Sequence, residues 1–316
     1  MKRNRIIIPG LAVFFLWTCG QSQRNELLVL HAGSLSVPFK QMASQFMKKN
    51  PGVRVRLEAH GSRTAARQIS DLKREADVMA SADSSVIRTL LVPEYADFCI
   101  DFSTNEMVLM YTGSSRFSNE INSDNWFNII RRPGVQVGHS DPNADPCGYR
   151  TIITWKLAEK YYRIPGLYSK LQQAVPKKNI RPKETDLIAL LEIFELDYVF
   201  IYRSVARQHR MKYVILPDEI NLKSFELSRF YGQVSIRISG KKPGEWITRR
   251  GLPMIYGITL PKNSRNPEWG ARFIAFVLGS EGRDIMSRNG QPPLVPPRVD
   301  FPDRLPPMVK SVLGIK

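Results

Sequence analysis

Six residues of this 316-residue chain have types and settings suited to chemistry: Ser34, Ser62, Asp145, Cys147, Glu184 and Tyr202. Each belongs to a turn after a strand-like run, to the start of a helix-like run, or to the end of a strand. Serine hydroxyls and the free amides of a helix N-terminus donate to oxyanions without carrying net charge. Taken singly, each serine reads equally well as a helix N-cap, and Glu184 as a first-turn carboxylate matching the helix dipole. The stretch from His139 to Arg150 holds two Asp-Pro pairs, which disfavour helix at the residue before each proline, and Gly148 loosens the backbone before the next helix. That loop aims a helix N-terminus at whatever lies in front of it. An anion is the natural occupant, so the carboxylate of Asp145 is out of place.

The elements needed to hold these residues follow from hydrophobic period. Residues 27–31 read as a buried strand. The helix at 37–49 carries Phe39, Met42, Ala43, Phe46 and Met47 at helical spacing. A strand at 53–59, a helix at 63–75 and a strand at 76–80 repeat the order, which implies a parallel α/β sheet with ligands at the carboxyl ends of its strands. Further strands are expected at 106–112, 197–202 and 254–260. Helices are expected at 151–162, 187–194, 268–278 and 281–289. Residues 219–253 look irregular with room for a hairpin, and the proline-rich tail from Pro292 is expected to wrap the surface without joining a core.

Lys2, Arg3 and Arg5 precede an apolar run from Ile6 to Trp17 that is too short to span a membrane. Residues 1–18 therefore read as an export signal. Cys19 directly after it, with Leu16 three residues before, resembles a bacterial lipoprotein cleavage site, so lipidation at Cys19 is expected. Removing the segment takes three of 46 basic residues and leaves 43 against 29 acidic, a net charge of +14. Such a balance suits nucleic acid, anionic lipid or small anions. Export and the lack of long Lys/Arg runs argue against nucleic acid. Apart from Cys19 there are only Cys99 and Cys147, too few for a disulfide framework, and no bridge between them is expected.

Several motifs resemble the tungstate/molybdate-binding proteins that feed ABC transporters, in the branch first recognised in archaea. They are His31-Ala-Gly-Ser-Leu35, Ala76-Asp77-Val78, Asn105-Glu-Met-Val108, Ser140-Asp-Pro-Asn143 running into Asp145-Pro-Cys-Gly-Tyr-Arg150, Pro182-Lys-Glu-Thr-Asp-Leu187, Asp197-Tyr198, Ile201-Tyr-Arg-Ser-Val-Ala206 and Leu216-Pro-Asp-Glu-Ile220. The similarity runs from about residue 27 to the Gln291-Pro292 region. It implies a two-lobed periplasmic binding protein fold of type II, each lobe a mostly parallel sheet flanked by helices, with a hinge between them. The first lobe would comprise 26–104 and 254–316, the second 105–253.

By the same resemblance Ser34 and Ser62 donate from the first lobe. Cys147 gives its backbone N–H and Tyr202 lines the second lobe. Asp145 and Glu184 then complete octahedral coordination of the metal of the oxyanion, which needs no other cofactor. A hexavalent tungsten or molybdenum atom can accept hard carboxylate ligands; sulfur cannot, so the same carboxylates would repel sulfate. The connection between Tyr162 and Pro182 is shorter than in archaeal members. The implied protein is a monomeric, exported carrier with a permease and an ATPase as partners. A binding protein for sulfate, thiosulfate or another small anion is the alternative. An enzyme built on Cys147 with His139, or Ser34 with His31, lacks the Gly-x-Ser-x-Gly elbow.

Overall fold

A strand with apolar residues on both faces must be covered on both. In the computed structural model, which describes residues 25–240, 242 and 244–315, β1 (Glu26–Ala32) is buried throughout from Val29 onward. It lies between β2 (Arg54–His60) and β3 (Val78–Ser81), parallel to each. The signal segment and Cys19 fall outside the described residues. Helix α1 (Ser36–Lys49) turns Phe39, Met42, Ala43 and Phe46 inward. Helix α2 (Ser62–Ser70) is shorter than its pattern implied; Lys73 takes a left-handed φ of 54° and breaks the run. Helix α3 (Ser84–Leu90) is capped by Asp83, whose side chain accepts from the Ser85 amide. Then β4 (Cys99–Thr104) leads out of this lobe into β5 (Met107–Tyr111).

The second lobe continues through α4 (Trp126–Ile129), β6 (Val137–Ser140) and the long α5 (Pro146–Tyr162). The connection between Tyr162 and Pro182 holds α6 (Leu167–Gln173), which buries Leu167 and Leu171, and the short β7 (Ile180–Arg181). Then come α7 (Asp186–Glu192), β8 (Tyr198–Tyr202), α8 (Arg203–Gln208) and β9 (Lys212–Ile215). Beyond α9 (Asp218–Asn221) and α10 (Ser228–Tyr231), an antiparallel hairpin pairs β10 (Ser235–Ser239) with β11 (Trp246–Arg250). The chain returns to the first sheet as β12 (Ile255–Thr259), followed by α11 (Pro267–Leu278) and α12 (Ser280–Arg288).

Two sheets result, ordered β13-β4-β12-β3-β1-β2 and β7-β6-β8-β5-β9. Both are mixed rather than mostly parallel, because β12 re-enters the first sheet antiparallel to β3 and β4, and β5 enters the second antiparallel to β8 and β9. The tail also departs from expectation: β13 (Pro293–Asp300) pairs with β4, and α13 (Pro307–Leu313) buries Val309 against α11. Prolines are compatible with β13 because it is an edge strand, where a missing N–H faces no partner.

Candidate functional site

The six candidates stand at strand ends and helix starts. Ser34 follows β1, Ser62 opens α2, Asp145 and Cys147 stand at the start of α5, Glu184 precedes α7, and Tyr202 ends β8. All six are at most 1 % exposed. Glu184 reaches across to the first lobe: a Cβ built on Gly33 would stand 3.1 Å from its Oε2. A side chain at residue 33 would crowd the carboxylate, so glycine there lets the serine turn and Glu184 approach closely.

The two carboxylates are unusual. Asp145 occupies the N-cap of α5 in extended conformation, yet its side chain does not cap the helix. None of the four oxygens of Asp145 and Glu184 is met by a well-formed hydrogen bond, although the two carboxyls interact with each other, Ser140 and the Cys147 amide stand beside Asp145, and the Ser34 backbone stands beside Glu184. Burial raises the Glu184 carboxyl well above the ordinary range, and the nearby charge of Asp145 raises it further. Burial likewise raises Asp145. Two buried acids without a cation between them form an arrangement that asks for a positive centre.

The hydroxyls around them present the opposite face. The backbone N–H of Ala82 donates to Ser62 Oγ at 3.0 Å, and Arg150 Nη1 donates to Tyr202 Oη at 3.1 Å. Neither donor can exchange roles, so each hydroxyl proton must point elsewhere. Burial holds the Tyr202 phenol far above its usual range, so that proton stays on. Tyr256 Oη donates to Ser34 Oγ at 3.0 Å. Cys147 contributes an amide at the second helical position; its thiol donates to the Phe200 carbonyl at 3.6 Å and is pushed up by burial. Cys99 and Cys147 are free and buried. His31 and His139 use their Nδ1 on the carbonyls of Ala32 and Ser140, and burial lowers His31 to about 4.

Sequence reasoning missed the residues that bring the lobes together. Tyr149 donates to Asp83, and Arg150 Nη1 donates to the Ala82 carbonyl at 2.7 Å. The amides of Arg63 and Thr64 donate to Ala144 O at 3.2 and 3.3 Å. A Cβ on Gly61 would stand 2.5 Å from that same carbonyl and 2.9 Å from Pro182 O. Gly61→Ala is therefore expected to weaken ligand binding about tenfold or more by wedging the lobes apart, an overpacking strain of about 1–3 kcal/mol, while unfolding of the unliganded protein is nearly unchanged; calorimetry on both states checks it. A cleft of about 830 Å³ lies on the Tyr149–Asp83 side of this contact, lined in part by Arg88, Arg150, Arg249, Arg250 and Arg298 and by none of the six candidate residues.

Residues 27–291 match the family described as bacterial extracellular solute-binding protein. The chain belongs to that family. Among relatives of this solute-binding protein, the molybdate/tungstate-binding protein WtpA of Pyrococcus abyssi is 42 % identical, with 98 % of each chain covered. An uncharacterized solute-binding protein of Petrotoga mobilis is 58 % identical, covering 86 % of this chain and 85 % of its own. Among solved structures, the periplasmic molybdate-binding protein of Azotobacter vinelandii superposes with a TM-score of 0.62 at 16 % identity, covering 84 % of this chain and 98 % of the other. That likeness establishes the two-lobed periplasmic binding protein fold for this solute-binding protein. Among the described residues no helix is long and apolar enough to cross a membrane.

Proposed function

We propose that this solute-binding protein captures tungstate or molybdate between its lobes and delivers it to the permease of an ABC transporter driven by an ATPase. One observation carries the reading: two buried carboxyls, met by no well-formed hydrogen bond, stand among hydroxyls that each already accept one bond and keep a proton to donate. A bare cation would suit the carboxylates but leave the hydroxyl protons without acceptors. Sulfate would suit the hydroxyls but meet the carboxylates. A tetrahedral anion with an expandable metal centre satisfies both, accepting hydrogen bonds through its oxygens and carboxylate oxygens at its metal. In this assignment Ser34, Ser62, Tyr202 and the Cys147 amide are the donors, and Asp145 and Glu184 are the metal ligands. The relatives named for molybdate and tungstate support the choice of anion.

The rest of the proposal concerns how the carrier is deployed. Residues 26–104 with 254–316 form one lobe, and 105–253 the other. A signal segment at 1–18 directs export, and Cys19 carries a lipid that tethers a monomer at the cell envelope. Isothermal titration with tungstate, molybdate and sulfate is the test. Tight binding of the heavier anions with none for sulfate is expected; the reverse order sinks the proposal and favours the plain sulfate-type carrier.

A further inference from the structure

Asn105 lies where the chain crosses from β4 to β5, and its amide has one orientation. Oδ1 accepts the backbone N–H of Glu106 at 3.0 Å and that of Ser204 at 3.4 Å. With the oxygen fixed by two donors, Nδ2 faces the other way, towards Ser204 Oγ at 2.7 Å and Tyr256 Oη at 3.0 Å. An amide N–H can only give. Tyr256 must accept from it, and its own proton runs on to Ser34 Oγ at 3.0 Å. Ser34 is pinned from behind as well, since Gln291 Nε2 donates to its carbonyl at 3.0 Å. Asn105, Tyr256, Ser34 and Gln291 are all buried, so bulk water does not compete for any of these bonds.

We propose that Tyr256, with its proton direction set by Asn105, is the positioning residue that holds the Ser34 hydroxyl as a donor to the bound oxyanion. The proposal rests on the reading of Ser34 as a ligand donor and adds the reason its proton is free to donate. A fully deprotonated oxyanion offers acceptors alone, and a hydroxyl already turned to give meets it without reorientation, which is affinity gained by preorganisation. The relay begins at the crossing between the lobes and touches both. Ser204 heads α8 of the second lobe, while Tyr256 sits on β12 just after the return crossing. The donor character of the site is thus set at the hinge.

The test is tungstate titration on the parent, Ser34→Ala, Tyr256→Phe and the double variant. Tyr256→Phe keeps the ring contacts with Phe102 and Tyr202, so its fold is retained. Each single change is expected to weaken binding about five- to tenfold, the scale of one neutral hydrogen bond. The double variant is expected to bind no more weakly than Ser34→Ala alone, because both act on the same bond. Losses that multiply overturn the proposal, as does Tyr256→Phe binding like the parent while Ser34→Ala is weakened. Asn105→Asp puts an acceptor where the relay needs its first donor and is expected to reproduce the Tyr256→Phe loss; parent-like binding there also overturns it. A parent that ignores tungstate, or a Ser34→Ala that binds like it, strikes down the underlying reading of the site instead.

Discussion

Glu184→Gln is expected to reduce tungstate affinity by about two orders of magnitude, the scale of truncating one member of a buried charged pair. Ser62→Ala removes one neutral hydrogen bond and is expected to lose only about fivefold. The amide keeps the shape of Glu184 but not the anionic oxygen that the metal would take. Equal losses for the two variants would mean plain hydrogen-bonded capture of an oxyanion. The same substitution is expected to stabilise the unliganded protein, and the sign is set by protonation. The Glu184 carboxyl ionises near 4.5 in an unfolded chain and well above that when folded, because burial and then Asp145 oppose its charge. The folded state therefore binds the proton more tightly, and stability falls as pH rises from that ordinary value through the folded one. Glu184→Gln escapes this loss. Its melting temperature is expected to exceed the parent's at about pH 8 and to match it at about pH 4, below the ordinary carboxylate range.

Arg63→Ala is expected to raise the tungstate dissociation rate about 10- to 100-fold with little change in association. Arg63 is wholly buried, yet no carboxylate lies within ion-pair distance of it among the described residues. Its Nε donates to Asn143 O at 3.1 Å and its Nη2 to Ser239 O, at the end of the hairpin. Asn143 Oδ1 in turn accepts from the Ser239 amide at 2.9 Å. Arg67 adds a bond from Nη2 to Gly240 O at 2.5 Å. Burial lowers the Arg63 guanidinium to about 10, so it remains charged at neutral pH and these are charge-assisted bonds. Arg63 directly follows Ser62, and Asn143 stands two residues before Asp145. The closure that joins those two candidate contacts therefore also seats the guanidinium in its carbonyl cradle. Truncation strips the charge-assisted donors from two partly solvent-accessible carbonyls, a cost of about 1–3 kcal/mol in all, and lysine cannot span both. Stopped-flow release into excess competitor measures the effect; an unchanged rate would remove the hairpin from the closing mechanism.

What the chain reveals by itself follows from how local each signal is. Ser34 and Ser62 sit in turns that follow clear strands, so hydrophobic period alone places them. Asp145 and Glu184 could be singled out by position, but their pairing came from resemblance to a known family, because nothing within either loop encodes the other. Arg63 and Tyr256 carried no signal, and Asn105 and Arg150 appeared only within motifs, with no role attached. Their partners are backbone carbonyls, amides and hydroxyls far along the chain, as with Arg63 and Ser239, and periodicity cannot see these. The tail was misjudged for a different reason. Pro293, Pro296 and Pro297 argue against a central strand, and only the edge position beside β4 makes them acceptable.

Every candidate contact is at most 1 % exposed, so with the lobes together these side chains are shielded from bulk solvent. Exchange between bound and free anion then keeps the tempo of lobe separation, and the surrounding anion concentration cannot hasten departure. A carrier built this way works in single loads. Release waits on the lobes parting, and a variant that loosens their closure sheds its load sooner.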